Sequence, residues 1–409
     1  MRLYILLLFF LPFVSVAQLA NSYIKSDFVR SVELRTGENS SFPFIPLGQI
    51  ETLELHFDVL GDEDYDLKYT LELRNADWSV NDFLNPQSYL DGYSRAYVNN
   101  YNYSFNTKVA YTHFYIRFPE QNYKPKLSGN YLIKVWNDDE LLLQHPFVVY
   151  ENLVPVGVEV VLSDDIKHRS TSHQINAVAN LPSGISSGTA NEFTLSAYQN
   201  FNPYTAKELL KNGMIENKQM WFGRFGELRF EAGNEFRNVS FRDLFRNSMR
   251  VYLIRRDLDT NAIVLYTDKK LKPRGYLAYQ DGNGLFAPQN YNGSQPDLDS
   301  DYCNVRFTFE SEFMAQRVLA LSGKAFLYDQ PRLQYLPEKK IYYADVLLKQ
   351  GFYEYQYLTG NGEEWGIGNT EGNYMQTENS YQIILYRKAF GTQYDRVVGI
   401  ISTNTANTF

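Results

Sequence analysis

Cysteine is almost missing from this chain. One residue of 409, Cys303, excludes any intramolecular disulfide, so the fold must rest on burial alone, which a chain of this length can supply. Cys303 follows Tyr302 at an expected strand start with no histidine near it in sequence, the setting of a buried, inert thiol rather than a nucleophile. Histidine is scarce as well, at five residues: His56, His113, His145, His168 and His173. His56 and His113 fall inside strand patterns, where a histidine satisfied within the sheet is expected. His168 and His173 share a loop-like segment with Asp164 and Asp165, but no cysteine and no second cluster joins them as zinc or nickel ligands. Positive charge is in deficit, 39 Lys and Arg against 47 Asp and Glu, and the net charge of −8 argues against nucleic acid or anionic lipid as partner. After the first 17 residues no apolar run reaches the roughly 20 residues that cross a bilayer as a helix.

Those first 17 residues read as a secretory signal. Arg2 gives the positive end, Leu3 to Phe10 the apolar core and Ser15-Val16-Ala17 a small-x-small cleavage site, leaving Gln18 as the mature N-terminus; no cysteine follows to carry a lipid anchor. Aromatic residues are abundant, with 33 Tyr, 28 Phe and 4 Trp. Such side chains suit pleated, half-buried surfaces better than helices, and tyrosine also suits broad protein interfaces.

The apolar periodicity is two rather than 3.6 over most of the chain. Strands are expected at 29–35, 52–59, 66–74, 112–118, 130–137 and 141–150, then at 157–162, 173–178, 193–199, 220–222, 228–230, 250–255 and 263–267. A third set covers 304–310, 317–320, 334–335, 340–347, 351–359, 381–387 and 397–403. Only Tyr204 to Asn212, with Thr205 as candidate cap, has helix character. The stretch from Asp77 to Asn102 is too long for a tight connection and reads as an ordered excursion carrying Trp78 and Tyr89 back onto the sheet. The expected fold is all-β: tandem immunoglobulin-like or early-set β-sandwich domains with few or no long helices. The divisions are 1–17 signal peptide, 18–152 N-terminal sandwich, 153–280 middle β domain, 281–301 linker and 302–409 C-terminal sandwich. Residues 341–357 of the last resemble an early-set domain of the kind that includes starch-binding modules.

No catalytic constellation emerges. The carboxylate pairs Asp62/Asp64 and Asp138/Asp139 sit in turns, where Asp caps its own backbone. Asp297-Leu298-Asp299-Ser300-Asp301 has the look of a calcium loop but lacks the glycine and terminal glutamate of the EF-hand spacing, and reads as solvated linker. The glycines from Gly360 to Gly368 lie between strands rather than at a helix N-terminus, which gives no phosphate cradle. Arg224, Arg229, Arg237, Arg242, Arg246 and Arg250 interleave with Phe222, Phe225, Phe230, Phe236, Phe241 and Phe245, a pattern met by outward arginines and inward phenylalanines or by a protein-binding surface. Trp365 and Tyr374 are candidates to stack on sugar rings. No catalytic, cofactor-binding or metal residue is assigned, and no cofactor is expected.

Four blocks in register carry a family resemblance. They are Asp77-Trp78 with Tyr89-Leu90-Asp91-Gly92; Ser104-Phe105-Asn106-Thr107, Tyr111-Thr112-His113 and Pro125 to Tyr131; Gly233-Asn234-Glu235-Phe236-Arg237 with Lys272-Pro273 and Asp281-Gly282-Asn283-Gly284; and Glu371-Gly372-Asn373-Tyr374, Gln376 to Asn379, Phe390-Gly391 and Tyr394 to Gly399. In these the chain resembles the DUF5103 family, the periplasmic plug proteins of the type 9 secretion system of Bacteroidetes. The resemblance implies a non-catalytic periplasmic plug at the inner face of the outer membrane. It would bind the periplasmic mouth of the outer-membrane translocon β-barrel and seal it when no cargo is in transit, with no nucleic acid and no small-molecule substrate. The resemblance supplies no partner-binding residues. The alternative is a carbohydrate-binding exported protein built on the starch-module-like C-terminal domain.

Overall fold

A computed structural model of the chain describes residues 22–36, 43–50, 53–182, 187–207, 209–211, 213–271, 275–315, 317–361 and 365–406, with Leu19 and Thr408; the expected signal segment 1–17 and Lys272-Pro273 lie outside them. The fold is all-β, as the period-two patterning implies. Alternation is cleanest in Leu67–Arg74, where Leu67, Tyr69, Leu71 and Leu73 are buried and the residues between them are half-buried. Helices with defined bounds among the described residues are Pro86–Tyr89 and Pro296–Asp299, four residues each.

Three two-sheet sandwiches result. In the first, the sheet of Ile24–Lys25, Glu140–Tyr150, Gly129–Asn137, Leu67–Arg74 and Ala96–Tyr97 packs on that of Val29–Arg35, Leu53–Leu60, Tyr111–Phe118 and Asn100–Tyr103. Phe57, Tyr69, Phe114, Tyr131 and Phe147 fill the space between. The second pairs Val156–Leu162, Ser172–Asn180, Gln219–Phe222 and Met214–Glu216 in one sheet, and Leu210–Lys211, Phe193–Gln199, Ser380–Arg387 and Arg396–Asn404 in the other. The third lies between Arg237–Ser240 and Trp365–Gly366; Phe307 and Phe309 of Tyr302–Glu310 meet Tyr353, Tyr355 and Tyr357 of Gly351–Gly360 in its core.

Strand pairing redraws the chain divisions at 280 and 302. Phe193–Gln199 pairs antiparallel with Ser380–Arg387, so the last two strands belong to the second sandwich, and Ile383 and Leu385 pack with Phe193, Leu195 and Val398 in its core. Arg237–Ser240 and Val251–Arg256, upstream of 280, belong to the third. The third sandwich is therefore an insertion in the second. Residues 281–301, inside the third sandwich, are ordered rather than a solvated linker: Phe286–Pro288 pairs with Gly351–Gly360, Asp299 accepts from the Ser294 and Gln295 N–H groups, and Asp301 accepts from those of Lys108 and Val109 in the first sandwich. The expected helix at 204–212 is also corrected. Pro203–Thr205 makes one tight turn capped by the Asn202 side chain, and Leu210–Lys211 then pairs with Phe193–Gln199, tertiary pairing overriding local propensity.

The 77–102 excursion does return to the body. Trp78 and Tyr89 are buried, and the Trp78 indole N–H donates to Tyr198 Oη at 3.1 Å, joining first and second sandwiches within a cluster that also holds Leu132, Val148, Phe201, Ile384 and Tyr386.

Candidate functional site

One buried, charged network lies in the seam between the first and third sandwiches. In Leu53–Leu60 alternation sends Leu55, Phe57 and Val59 into the core and Glu54, His56 and Asp58 to the opposite face. His113 sits opposite Asp58 on Tyr111–Phe118 and shares that face. Asp58 is 0% exposed. Its carboxylate accepts from His113 Nδ1 at 2.6 Å, from Tyr302 Oη at 2.6 Å and from Lys349 Nζ at 2.6 Å, the last two belonging to the third sandwich. Lys349 also donates to the Asp297 carbonyl at 2.7 Å and lies 4.2 Å from the Tyr111 ring centroid. Burial works to raise the Asp58 pKa, but the Lys349 charge, with the hydrogen bond to His113, prevails and holds it below the usual carboxylate range.

Beside this network Arg35 donates to both oxygens of Asp297 at 3.0 Å and to Glu33 at 2.9 Å. His56 Nδ1 lies 3.1 Å from His113 Nε2, and His56 Nε2 lies 3.1 Å from Glu54 Oε2. Burial, with the Arg35 charge, lowers the His56 pKa to about 4, so its ring is neutral at neutral pH. Among the described residues His56, His113 and Asp297 are the one group of three whose ligand atoms lie within 4.8 Å of one another. His168 and His173 do not meet over a shared point: His168 is half-buried and paired with Asp165, whereas His173 is buried and held by Tyr381 Oη and the Met375 carbonyl. Cys303 is buried, and burial pushes its thiol well up, as an inert core residue requires.

A second concentration of polar groups lies where the chain crosses between second and third sandwiches. The Gly233 N–H donates to Asn373 Oδ1 at 2.6 Å, Asn234 Nδ2 to the Glu371 carbonyl at 2.8 Å, the Phe236 N–H to Asp281 Oδ2 at 2.5 Å, and Arg237 Nε to Glu371 Oε2 at 2.9 Å. Glu354 accepts from the N–H groups of Gly282, Gly284 and Leu285. The motifs quoted from 233–237, 281–284 and 371–379 are thus one hydrogen-bonded joint. The motifs at 77–78 and 394–399 form another, through Asp395 accepting from the Ala76 N–H at 2.9 Å and Arg396 pairing with Glu151.

The arginine series divides. Arg237 and Arg250 turn inward onto Asp268, while Arg224 lies over the Trp221 ring at 3.7 Å. Phe222, Phe230, Phe236 and Phe241 are buried, but Phe225 and Phe245 are exposed. Trp365 is half-buried in a cleft with Lys207, Phe230 and Gln356, and Tyr374 packs against Tyr276. The largest exposed run of aromatics in the first sandwich is Tyr93, Tyr97, Tyr101 and Tyr103, on or beside the edge strands Ala96–Tyr97 and Asn100–Tyr103. Sequence reasoning passed over Asp58, Lys349 and Arg35, and read Asp297 as part of a solvated linker. The polar face Glu54, His56, Asp58 opposite an all-apolar face was a readable signal for the first of these; the others come from distant segments.

Residues 29–151 match the family model described as the type 9 secretion system plug protein 1st domain. The matched span covers the first sandwich from Val29 to one residue past Tyr150. No curated protein matches the chain. The crystal structure of a hypothetical protein from Parabacteroides merdae ATCC 43184 is similar over 93% of this chain and 98% of that one, with a TM-score of 0.88 and 28% identity. The inserted arrangement described above is therefore shared by a solved protein over nearly its whole length.

Proposed function

We propose that this chain is a non-catalytic plug of the type 9 secretion system, which binds the periplasmic mouth of the outer-membrane translocon barrel and seals it when no cargo is passing. The match of the first sandwich to the plug first domain carries the reading. The fold suits it. Three sandwiches locked by buried joints present a large rigid surface, and sealing a wide pore needs an interface of roughly 1,600 Å² or more. No helix among the described residues is long and apolar enough to cross a membrane, so attachment through the barrel fits the reading. Tyr93, Tyr97, Tyr101 and Tyr103 are the anchors this reading assigns to the contact, since exposed tyrosines at sheet edges are typical hot-spot residues.

Deleting the gene and measuring dye influx across the outer membrane tests the seal, and affinity purification of the tagged chain tests the contact. Raised influx and a co-purifying outer-membrane barrel are expected. Unchanged permeability together with no barrel in the eluate sinks the reading. The carbohydrate-binding alternative rests on the half-buried Trp365 cleft, and retention on polysaccharide columns would favour it.

A further inference from the structure

The seam between the first and third sandwiches holds ligand atoms that plugging does not use. Each of its two histidines has one ring nitrogen claimed by a carboxylate, His56 Nε2 by Glu54 at 3.1 Å and His113 Nδ1 by Asp58 at 2.6 Å. A carboxylate only accepts, so in neutral rings those nitrogens carry the protons. His56 Nδ1 and His113 Nε2, the ring nitrogens that no carboxylate claims, face each other at 3.1 Å, with Arg35 Nη1 3.4 Å from the former. Asp297 Oδ2 completes the group at 3.8 Å from His113 Nε2. A carboxylate behind an imidazole is the arrangement that orients metal-ligating histidines and strengthens them as ligands, and here it occurs twice. Two nitrogens bound to one zinc at 2.0–2.1 Å with tetrahedral angles stand roughly 3.3 Å apart, close to the spacing seen.

We propose that His56 Nδ1, His113 Nε2 and a carboxylate oxygen of Asp297 form a binding site for a divalent transition metal of the zinc class. Two imidazoles and one carboxylate favour zinc over magnesium or calcium, which take all-oxygen shells. A groove of about 210 Å³ lined by Asn102, Tyr115, Gln295 and Pro296 gives the ion a path in and room for a fourth ligand. Arg35 is the competing cation. Its Nη1 lies 3.4 Å from His56 Nδ1 and 3.0 Å from Asp297 Oδ2, so metal and guanidinium exclude each other there. Arg35 keeps Glu33 as counter-ion when it yields Asp297. Because the histidines belong to the first sandwich and Asp297 to the third, the bound ion clamps the two together. The proposal stands independently of the plug reading.

The test uses the full mature chain without a histidine tag, stripped with EDTA and titrated with ZnCl₂ by calorimetry and with CoCl₂ by visible absorption, which reports the ligand geometry. One saturable equivalent of either metal is expected, with none for MgCl₂. Asp297→Asn and His56→Gln should each weaken zinc at least tenfold, and Glu54→Gln, acting through His56, by about 10–100-fold. Arg35→Met should tighten it, and His168→Gln, at the exposed Asp165 pair, should leave it unchanged. Absence of saturable one-equivalent binding means that a proton, not a metal, stands between the rings, and overturns the proposal. So does binding that survives both Asp297→Asn and His56→Gln, or that His168→Gln removes. Should His56→Gln fail to fold by near-UV circular dichroism, Asp297→Asn and Arg35→Met decide the matter, since Asp297 lies at the rim of the groove.

Discussion

Glu235 is the side chain whose charge state matters most to the joint between second and third sandwiches. It is 2% exposed, hydrogen-bonded with Asp281, and accepts from Tyr276 Oη and the Glu378 N–H, while its Oε2 finds no donor. Burial above all, with the Asp281 charge, raises its pKa from the ordinary 4.5 to about 7, so one proton is held between the two carboxyls. The folded state thus binds a proton that the unfolded chain releases near 4.5. The stability this gives is full below that value and is lost as pH rises through about 7, a loss on the order of 2–3 kcal/mol. Urea unfolding at pH 5.5 and pH 8 should show wild type weakening at the higher pH and Glu235→Gln nearly flat; an equal slope in both would refute the shared proton. At the other seam, Lys349→Met leaves the Asp58 carboxylate buried without its cation. Loss of one member of a buried pair costs about 3–5 kcal/mol, which a shift in the urea midpoint would report. Neither residue was legible in the sequence. Lys349 and Asp58 are separated by 291 positions, and nothing in a local window signals a pair.

Single strands were the most readable elements. Val29–Arg35 and Phe193–Gln199 fall within their expected bounds, although burial alternates in neither: the first carries a register shift between Arg30 and Glu33, and the second is buried on both faces except at Thr194. The short helix at 204–212 was not, since residues of good helical propensity there close a sheet edge instead. One turn shows how narrow the tolerance is. Leu90–Gly92 pairs with Tyr123–Pro125, and Gly92 sits at φ +110 with a Cβ position 1.9 Å from the Asn122 carbonyl oxygen. Gly92→Ala combines a left-handed backbone with that clash and should cost roughly 2–4 kcal/mol in urea unfolding. A neutral result would mean that this ribbon moves freely.

The all-β class was legible at the scale of the whole molecule; the insertion was not. Composition and periodicity report how each segment is buried but not which distant segment covers it, and Ser196 meets Tyr386 across 190 positions. The insertion has a direct test. A chain truncated after residue 301 retains the expected middle domain of 153–280 yet lacks Ser380–Arg387 and Arg396–Asn404. Proteolysis and NMR dispersion should find its first sandwich folded and residues 156–231 open. A protected, dispersed 156–231 would show that the second sandwich closes without its final strands.

The nested order also sets a timetable for a growing polypeptide. Synthesis runs from the N-terminus at about 5–20 residues per second, so Phe193–Gln199 waits on the order of 10–40 seconds for its partner strand to be made. Throughout that interval the backbone edge of Phe193–Gln199 lacks Ser380–Arg387 and the core of the host lacks Tyr381, Ile383, Leu385 and Val398, while the guest sandwich can finish before its host. Of the three units the host is the one most in need of protection from aggregation, and its rescue arrives only with Ser380–Arg387 and Arg396–Asn404.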